Sequence, residues 1–179
     1  MVHEIAHQLP GGVKPDVLVC AVGGGGLLGG IILGCKDVGW DDGMYDQFSS
    51  LIRLLIVASI VPLLAMETQL SNCFYQSFLA NGGKPPPDPE ATGNKAIFRT
   101  DDEHKVTLAQ LTEITSRASC LGASSPSAGV LKAALERTGP LSCVCVSDEQ
   151  SMGAAVEFHG ERVWSPVISL AKVEQLFCR

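Results

Sequence analysis

Four consecutive glycines, Gly23 to Gly26, follow a run of apolar and β-branched residues and precede a segment that can be helical. Ordering glycine is entropically costly, so such a run is tolerated mainly where something must come close to the backbone. Successive N–H groups without side chains can converge on an anion, and the N-terminus of the following helix points its positive end there. The pattern therefore predicts a phosphate-binding loop, and the alternative is a flexible turn.

The same loop also matches the dinucleotide fingerprint G-x-G-x-x-G, through Gly24, Gly26 and Gly29. That fingerprint requires an acidic residue about 20 positions later, at the end of the next strand, to hold a ribose hydroxyl. The acidic residues near that distance do not follow a predicted strand: Asp41, Asp42 and Asp46. Glu67 follows one but lies too far along the chain. We therefore favour simple phosphate binding over NAD binding.

His3, Glu4 and His7 match H-E-x-x-H, the pattern in which two imidazoles on one helical face bind zinc and the glutamate acts as general base. A zinc site needs a third protein ligand, and Pro10 and Val13 stand where the metzincin continuation has Gly and His. A zinc hydrolase is thus an alternative, and we favour a solvent-facing helix that carries two histidines.

Glu67 ends the second predicted strand, where a carboxylate would face the ligand crevice of a parallel sheet. The alternative is a surface glutamate that begins a loop, and the sequence leaves both open. No serine lies in G-x-S-x-G, and neither His104 nor His159 has a context that assigns it as a base. The sequence therefore predicts no hydrolase triad.

Composition restricts the partners and the compartment. A net charge of -6 with no cluster of Lys and Arg excludes nucleic acid as the main partner. The seven cysteines include no C-x-x-C pair, which is typical of a reducing cytosol, so we expect a cytoplasmic protein. The N-terminus lacks the basic region of a signal peptide, and the apolar stretch from Leu54 to Met66 is too short to span a bilayer, so we expect no membrane.

Strands and helices alternate along the chain. The predicted strands are Val17 to Val22, Val61 to Met66 and Leu141 to Val146. The predicted helices are Met1 to Leu9, Leu27 to Lys36, Gly129 to Arg137 and one after the capping-box pair Ser147 and Gln150. This order predicts an α/β fold, a twisted parallel sheet flanked by helices. Residues 43–60 and 85–104 do not fit the alternation and are predicted to be insertions, the second an exposed loop rich in Pro, Asp and Glu.

Five segments resemble the middle and later part of the serine dehydratase and serine dehydratase-like family: LPGGVKPDVLVCAVGGGGLLGG, DVGWDD, VPLLAMET, LTEITSRASCLGA and VCVSDEQ. These are pyridoxal-phosphate (PLP) enzymes of the tryptophan synthase β fold, fold type II, which convert L-serine and L-threonine to 2-oxo acids and ammonia. The resemblance implies that residues 1–179 form an incomplete PLP-binding domain of this type. Its substrate would be a small amino acid.

The resemblance also implies roles for particular residues. Gly23, Gly24, Gly25, Gly26 and Leu27 match the family loop whose backbone N–H groups hold the phosphate of PLP. Glu67 matches a glutamate associated with a monovalent cation such as K⁺. The other ligands of that cation would be the carbonyl oxygens of Gly23, Leu121 and Ala123.

The chain departs from the family at both ends. The family's Schiff-base lysine and its Ser-Gly-Asn segment lie before the position that matches Met1. None of the lysines present stands in the serine-rich context of that lysine: Lys14, Lys36, Lys84, Lys95, Lys105, Lys132 and Lys172. Residues 157–179 form a divergent tail, in which Cys178 lacks the family context of the group that bonds the pyridine nitrogen.

From these departures we expect no catalytic residue in the chain and no turnover by the chain alone. An alternatively spliced or mispredicted transcript, giving a truncated isoform, would explain both the insertions and the tail. Because the family commonly forms dimers, the alternatives are a homodimer and a non-catalytic subunit that pairs with the full-length enzyme.

Overall fold

The computed structural model describes residues 1–41, 60–83 and 95–160, with side chains to residue 157. The described helices are α1 (Val2–Gln8), α2 (Gly26–Asp37), α3 (Cys73–Ala80), α4 (Ala128–Leu135) and α5 (Asp148–Gly160). The described strands are β1 (Leu18–Ala21), β2 (Leu63–Thr68), β3 (Ala96–Asp101), β4 (Val106–Leu111) and β5 (Leu141–Val146). No helix in these ranges is both long and apolar enough to cross a membrane.

The chain divides into two compact units, Met1–Asp148 and Glu149–Arg179. The first unit contains every described strand. Of the second, the structure describes the part of α5 that begins at Glu149, on which Met152 and Val156 are exposed.

Three strands of the first unit form a parallel sheet in the order β1-β2-β5. Leu18 is paired with Leu63, and Leu63 with Leu141, so the strands begin level with one another. The continuous apolar runs that predicted these strands place them correctly, within about two residues at each end. Parallel pairing brings the loops that follow β1, β2 and β5 to one edge, the carboxyl end of the sheet.

One face of this sheet is buried in the core. Cys20, Ala65 and Cys143 lie level on that face and are 1–3% exposed. The core cluster around them draws residues from four helices: Val2 of α1, Leu28 and Ile32 of α2, Phe74 and Tyr75 of α3, and Leu131 of α4. The helices of the first unit therefore pack against the sheet and fix the loops at its carboxyl end.

Strands β3 and β4 form a separate antiparallel pair, in which Phe98 lies opposite Ala109. Helix α3 bonds the other edge of β4 through its side chains. Ser77 Oγ accepts the N–H of Ala109 at 2.8 Å, and the Asn81 amide accepts the N–H of Thr107 at 2.8 Å and donates to its carbonyl oxygen at 2.7 Å. Helix α3 thus closes this edge of the hairpin.

Three elements differ from the sequence predictions. Helix α3 and strand β4 were not predicted, and the interpretation of residues 85–104 as a loop is wrong for β3 (Ala96–Asp101). The exposed residues of β3 show no apolar alternation, because its order comes from pairing with β4 rather than from burial. That 43–60 and 85–104 are insertions stays a prediction. Most of the first range and residues 85–94 of the second lie outside the described residues, as does the tail from 161 on.

Candidate phosphate-binding site

The glycine loop lies at the carboxyl end of β1 and leads directly into α2. Val22 is buried, and Gly25 takes the N-cap position of α2 with φ +91°, a left-handed conformation that favours glycine. No side chain caps the helix among the described residues. The first-turn N–H groups of this twelve-residue helix are therefore directed toward whatever occupies the space before it.

The glycines of the loop differ in what surrounds them. A Cβ at Gly23 would lie 2.7 Å from the Leu121 carbonyl oxygen, and one at Gly25 would lie 3.1 Å from Val130 Cγ1. A Cβ at Gly24 would have its nearest neighbour at 3.8 Å, and one at Gly26 would have nothing within 4 Å. Packing thus requires glycine at two positions and leaves open space at the other two. This arrangement fits a phosphate group, whose oxygens need room beside backbone N–H donors.

Backbone contacts hold the loop in place. Gly24 O accepts the N–H of Ser127, the N-cap residue of α4, at 2.9 Å. Gly23 O lies 3.7 Å from the Cys73 thiol, which donates to it. The loop is therefore fixed by α4 on one side and by the start of α3 on the other.

Glu67, near the end of β2, is buried, with 2% of its surface exposed. Its Oε1 accepts the N–H of Phe74 at 3.1 Å, and its Oε2 accepts the N–H of Tyr75 at 2.6 Å, so the carboxyl group caps α3. Burial raises the pKa of Glu67 to about 8, against the lowering effect of these two hydrogen bonds. The alternative interpretation, a surface glutamate at the start of a loop, is wrong.

The four residues assigned to a cation lie in one neighbourhood. The Cys73 thiol is 4.0 Å from Glu67 Oε1 and donates to Gly23 O, which joins the first two groups. Leu121 O lies against Gly23, and Ala123 Cβ lies beside Gly24. The structure thus brings the four residues together, and coordination of a cation by their oxygen atoms stays a prediction.

A chain of hydrogen bonds that the sequence analysis missed supports the segment opposite the loop. Thr68 Oγ1 donates to Ser116 Oγ at 2.8 Å, and Ser116 Oγ donates to Asp148 Oδ1 at 2.7 Å. Asp148 Oδ2 accepts the N–H of Arg117 at 2.7 Å. The hydrogen bonds from Arg117 and Ser116 lower the pKa of Asp148. The sequence analysis used the motif SDEQ as a helix start and as part of the family resemblance, and assigned no role to its Asp148.

Asp41, considered above for a ribose hydroxyl, lies elsewhere. Its Oδ1 is 3.1 Å from Arg137 Nε, and it accepts the N–H of Gly139 at 3.1 Å. Arg137 also donates to the carbonyl oxygens of Val61, at 2.6 Å, and Pro140, at 2.5 Å. Val61 precedes β2 and Pro140 precedes β5, so this ion pair belongs to the amino end of the sheet, opposite the glycine loop.

The H-E-x-x-H residues lie on α1, where His3 Nε2 is 3.4 Å from Asp37 Oδ2 at the end of α2. Both side chains are largely exposed. Within the described ranges, no three His, Cys, Asp or Glu side chains are grouped so that they could hold a metal ion. In this part of the chain, the structure therefore supplies no third ligand for a zinc site.

Relatives of this chain are named as serine dehydratases or as serine dehydratase-like proteins. No protein-family model matches the chain. The L-serine dehydratase/L-threonine deaminase of Mus musculus is 28% identical over 158 residues, which cover 88% of this chain and 34% of that protein. The Bos taurus protein of the same name is 30% identical over 145 residues, 81% of this chain and 31% of that protein. The human serine dehydratase-like protein is 38% identical over 66 residues, 37% of this chain and 15% of that protein.

A solved structure, the L-serine ammonia-lyase of the fungus Rhizomucor miehei, matches the fold with a TM-score of 0.59 and 25% identity. The match covers 89% of this chain and 36% of the fungal chain. The chain thus spans about a third of the length of the mouse and cattle relatives. The predicted fold class, an α/β domain with a parallel sheet of the type II PLP fold, is confirmed. Over most of its length, the chain is similar in sequence and in fold to one part of the serine dehydratases.

Proposed function

We propose that the chain forms the phosphate-binding part of a PLP-dependent L-serine/L-threonine dehydratase, which gives a 2-oxo acid and ammonia. The observation that carries this proposal is the glycine loop, which opens at the carboxyl end of β1 onto the uncapped N-terminus of α2. The names and the structure of the similar proteins support the same reaction class.

In this proposal, the backbone N–H groups of the loop from Gly23 to Leu27 hold the phosphate of PLP. Gly24 and Gly26, where a side chain would have room, are the positions at which the phosphate oxygens approach. Gly23 and Gly25 keep the backbone against Leu121 and Val130. When bound, PLP acts as the electron sink for loss of the substrate α-proton and of the hydroxyl group.

Glu67 and the carbonyl oxygens of Gly23, Leu121 and Ala123 are proposed to bind a monovalent cation such as K⁺. Oxygen atoms are the ligands that hard cations prefer, and the four residues lie in one neighbourhood. A cation beside Glu67 would favour the charged carboxylate and offset the rise in pKa that burial causes.

We also propose that the 179 residues by themselves, as a cytoplasmic polypeptide, bind phosphate or PLP weakly and do not turn over serine. They correspond to about a third of the relatives' length, and none of their lysines stands in the family context that forms the Schiff base. Pyruvate formation from L-serine by the purified chain, in excess of a mock preparation, would refute this part of the proposal.

The phosphate-binding role is tested with a matched pair of variants in α2. Gly26→Glu places a carboxylate in the proposed phosphate site, and Gly30→Glu places the same group one turn later; a Cβ at either position meets nothing within 4 Å. We expect Gly26→Glu to weaken binding of PLP at least tenfold by equilibrium dialysis, because like charges repel at close range. Gly30→Glu should stay within about twofold of the unmodified chain.

Inorganic phosphate should compete with PLP in the same assay, since both are proposed to bind through the phosphate group. Equal losses in the two variants, or no saturable binding by the unmodified chain, would contradict the phosphate-binding role. A second candidate function is a non-catalytic subunit that pairs with another chain. The observation that favours it is the exposure of apolar residues on one face of the parallel sheet, including Val19.

A further inference from the structure

The parallel sheet has a second face, which the core does not use. Side chains alternate between the faces of a strand, and residues level with each other in parallel strands share a face. Val19, Leu64 and Ser142 are level, as are Ala21, Met66 and Val144. These six residues define what is here named the outer face.

The outer face is more exposed than the core face, which carries Cys20, Ala65 and Cys143. Val19 is 50% exposed, and Ala21 and Ser142 are also exposed, whereas Leu64, Met66 and Val144 are half-buried. Strands of a parallel sheet are normally covered on both faces, which is why they read as continuous apolar runs. Five of the six residues of the outer face are apolar, as expected of a surface that is covered in the functional assembly.

Strand β1 is also an edge of the sheet among the described strands, since it pairs with β2 alone. An unpaired strand edge presents N–H and C=O groups that can bond another strand. The exposed edge and the exposed side of Val19 belong to the same strand. One partner could therefore both pair with the edge of β1 and cover Val19.

We infer that the outer face and the free edge of β1 bind the part of a serine dehydratase-type domain that these 179 residues do not contain. This rests on the proposed function. The structural match covers 89% of the chain and 36% of the fungal enzyme, so a domain of this type has further polypeptide to pack against this part. An intact dehydratase already contains its own copy of the matched part, so its corresponding surface is occupied.

The inference predicts a choice between two partners. The first is an N-terminal polypeptide of the mouse relative that ends just before the segment similar to this chain. The second is the same enzyme at full length. In sedimentation velocity with fluorescently labelled chain, we expect a one-to-one complex with the N-terminal polypeptide and none with the full-length enzyme.

Two variants test the surface. Val19→Asp places a charge on the outer face and should weaken the complex at least tenfold. Leu33→Asp places it on α2, where Leu33 is 61% exposed, and should leave binding within about twofold. Unfolding by urea confirms that both variants fold. Should Val19→Asp fail to fold, Ala21→Lys, at another exposed position of the same face, replaces it.

Three results would overturn the inference: no complex with the N-terminal polypeptide, equal loss in the Val19 and Leu33 variants, or a homodimer that Val19→Asp dissociates. The third would assign the outer face to a second copy. Phosphate binding by the chain is measured on the same samples. If the unmodified chain bound phosphate but formed no complex with the N-terminal polypeptide, the inference would be rejected and the proposed function would stand.

Discussion

The two ends of the parallel sheet differ in how their buried charged side chains are paired. At the amino end, Asp41 and Arg137 are 0–1% exposed and lie 3.1 Å apart, with further bonds to Val61, Pro140 and Gly139. At the carboxyl end, Glu67 is equally buried but accepts only N–H groups and a thiol, and no Lys or Arg side chain pairs with it among the described residues.

This difference indicates that one end of the strands contributes mainly to stability and the other end to ligand binding. Each charge of this buried ion pair already has an opposite charge beside it, although Asp41 Oδ2 accepts no hydrogen bond among the described residues. A buried carboxyl group that pairs with no Lys or Arg among the described residues, and that the Cys73 thiol links to the glycine loop, is suited to take part in ligand binding. The amino end of the sheet therefore holds the strands together, and the carboxyl end retains capacity for a ligand.

The largest expected effect is at the amino end. Arg137→Met leaves Asp41 buried without its cation and should lower the free energy of unfolding by about 3–5 kcal/mol, measured by urea denaturation. Lys132→Met is the control, since Lys132 lies on α4, five residues before Arg137, in a partly exposed pair with Glu136 at 3.8 Å, and should cost less than about 1 kcal/mol.

The double variant Asp41→Asn, Arg137→Met should be more stable than Arg137→Met alone, because it no longer buries an unpaired charge. If Arg137→Met and Lys132→Met lowered the free energy of unfolding by equally small amounts, the amino end would not be the stabilising end.

At the carboxyl end, stability should depend on the ionisation of Glu67. Its pKa is about 8 in the folded chain against 4.5 ordinarily, so between these values the folded state holds a proton that the unfolded state has lost. Stability should therefore fall as pH rises, by about 2–3 kcal/mol between roughly pH 5.5 and 7.5. Glu67→Gln should flatten this slope, and Glu4→Gln, at an exposed position, should not.

Potassium chloride should reduce the fall more than an equal concentration of a tetraalkylammonium chloride if the proposed cation site forms. A slope that Glu67→Gln leaves unchanged would show that another group titrates.

Asp148 should show the opposite pH dependence, at the same end of the sheet. Hydrogen bonds from Arg117 and Ser116 lower its pKa below the ordinary value of 3.8, so its contribution is present at neutral pH and is lost on acidification. Asp148→Asn should cost about 1–2 kcal/mol at neutral pH. The matched control is Asp16→Asn. Equal costs for the two changes would exclude a special role for the network with Thr68.

The smallest effect concerns α2. A Cβ at Gly30 meets nothing within 4 Å, so Gly30→Ala should raise the free energy of unfolding by about 0.5–1 kcal/mol, as expected inside a helix. A Cβ at Gly29 would lie 2.8 Å from Val130 Cγ2, so Gly29→Ala should gain nothing or destabilise. Thermal unfolding distinguishes the two variants. Equal gains in stability would mean that Val130 of α4 moves aside at little cost.

The sequence predicted what depends on local pattern and missed what depends on tertiary pairing. Apolar runs placed β1, β2 and β5, and the glycines marked the loop that follows β1. Helix α3 was missed because it is short and buried nearly all round, including the polar Gln76 and Ser77, and so has no amphipathic period.

The candidate site was predictable only in part for the same reason. Glu67 was identified as a strand-end residue, but the N–H groups that it accepts belong to a helix absent from the prediction. The bond between Arg137 and Val61 spans 76 residues, and nothing in the local sequence of either residue indicates it.

The side-chain bonds between α3 and β4 have a consequence for how the chain folds. Ala109 bonds Ser77 across 32 residues, whereas Arg137 reaches Val61 across 76. A contact that closes a shorter loop costs less chain entropy, so it tends to form earlier in folding. The helix-and-hairpin region of residues 73–111 can therefore assemble while the parallel sheet is still open. It would then serve as the platform on which β2 and its buried glutamate are subsequently fixed.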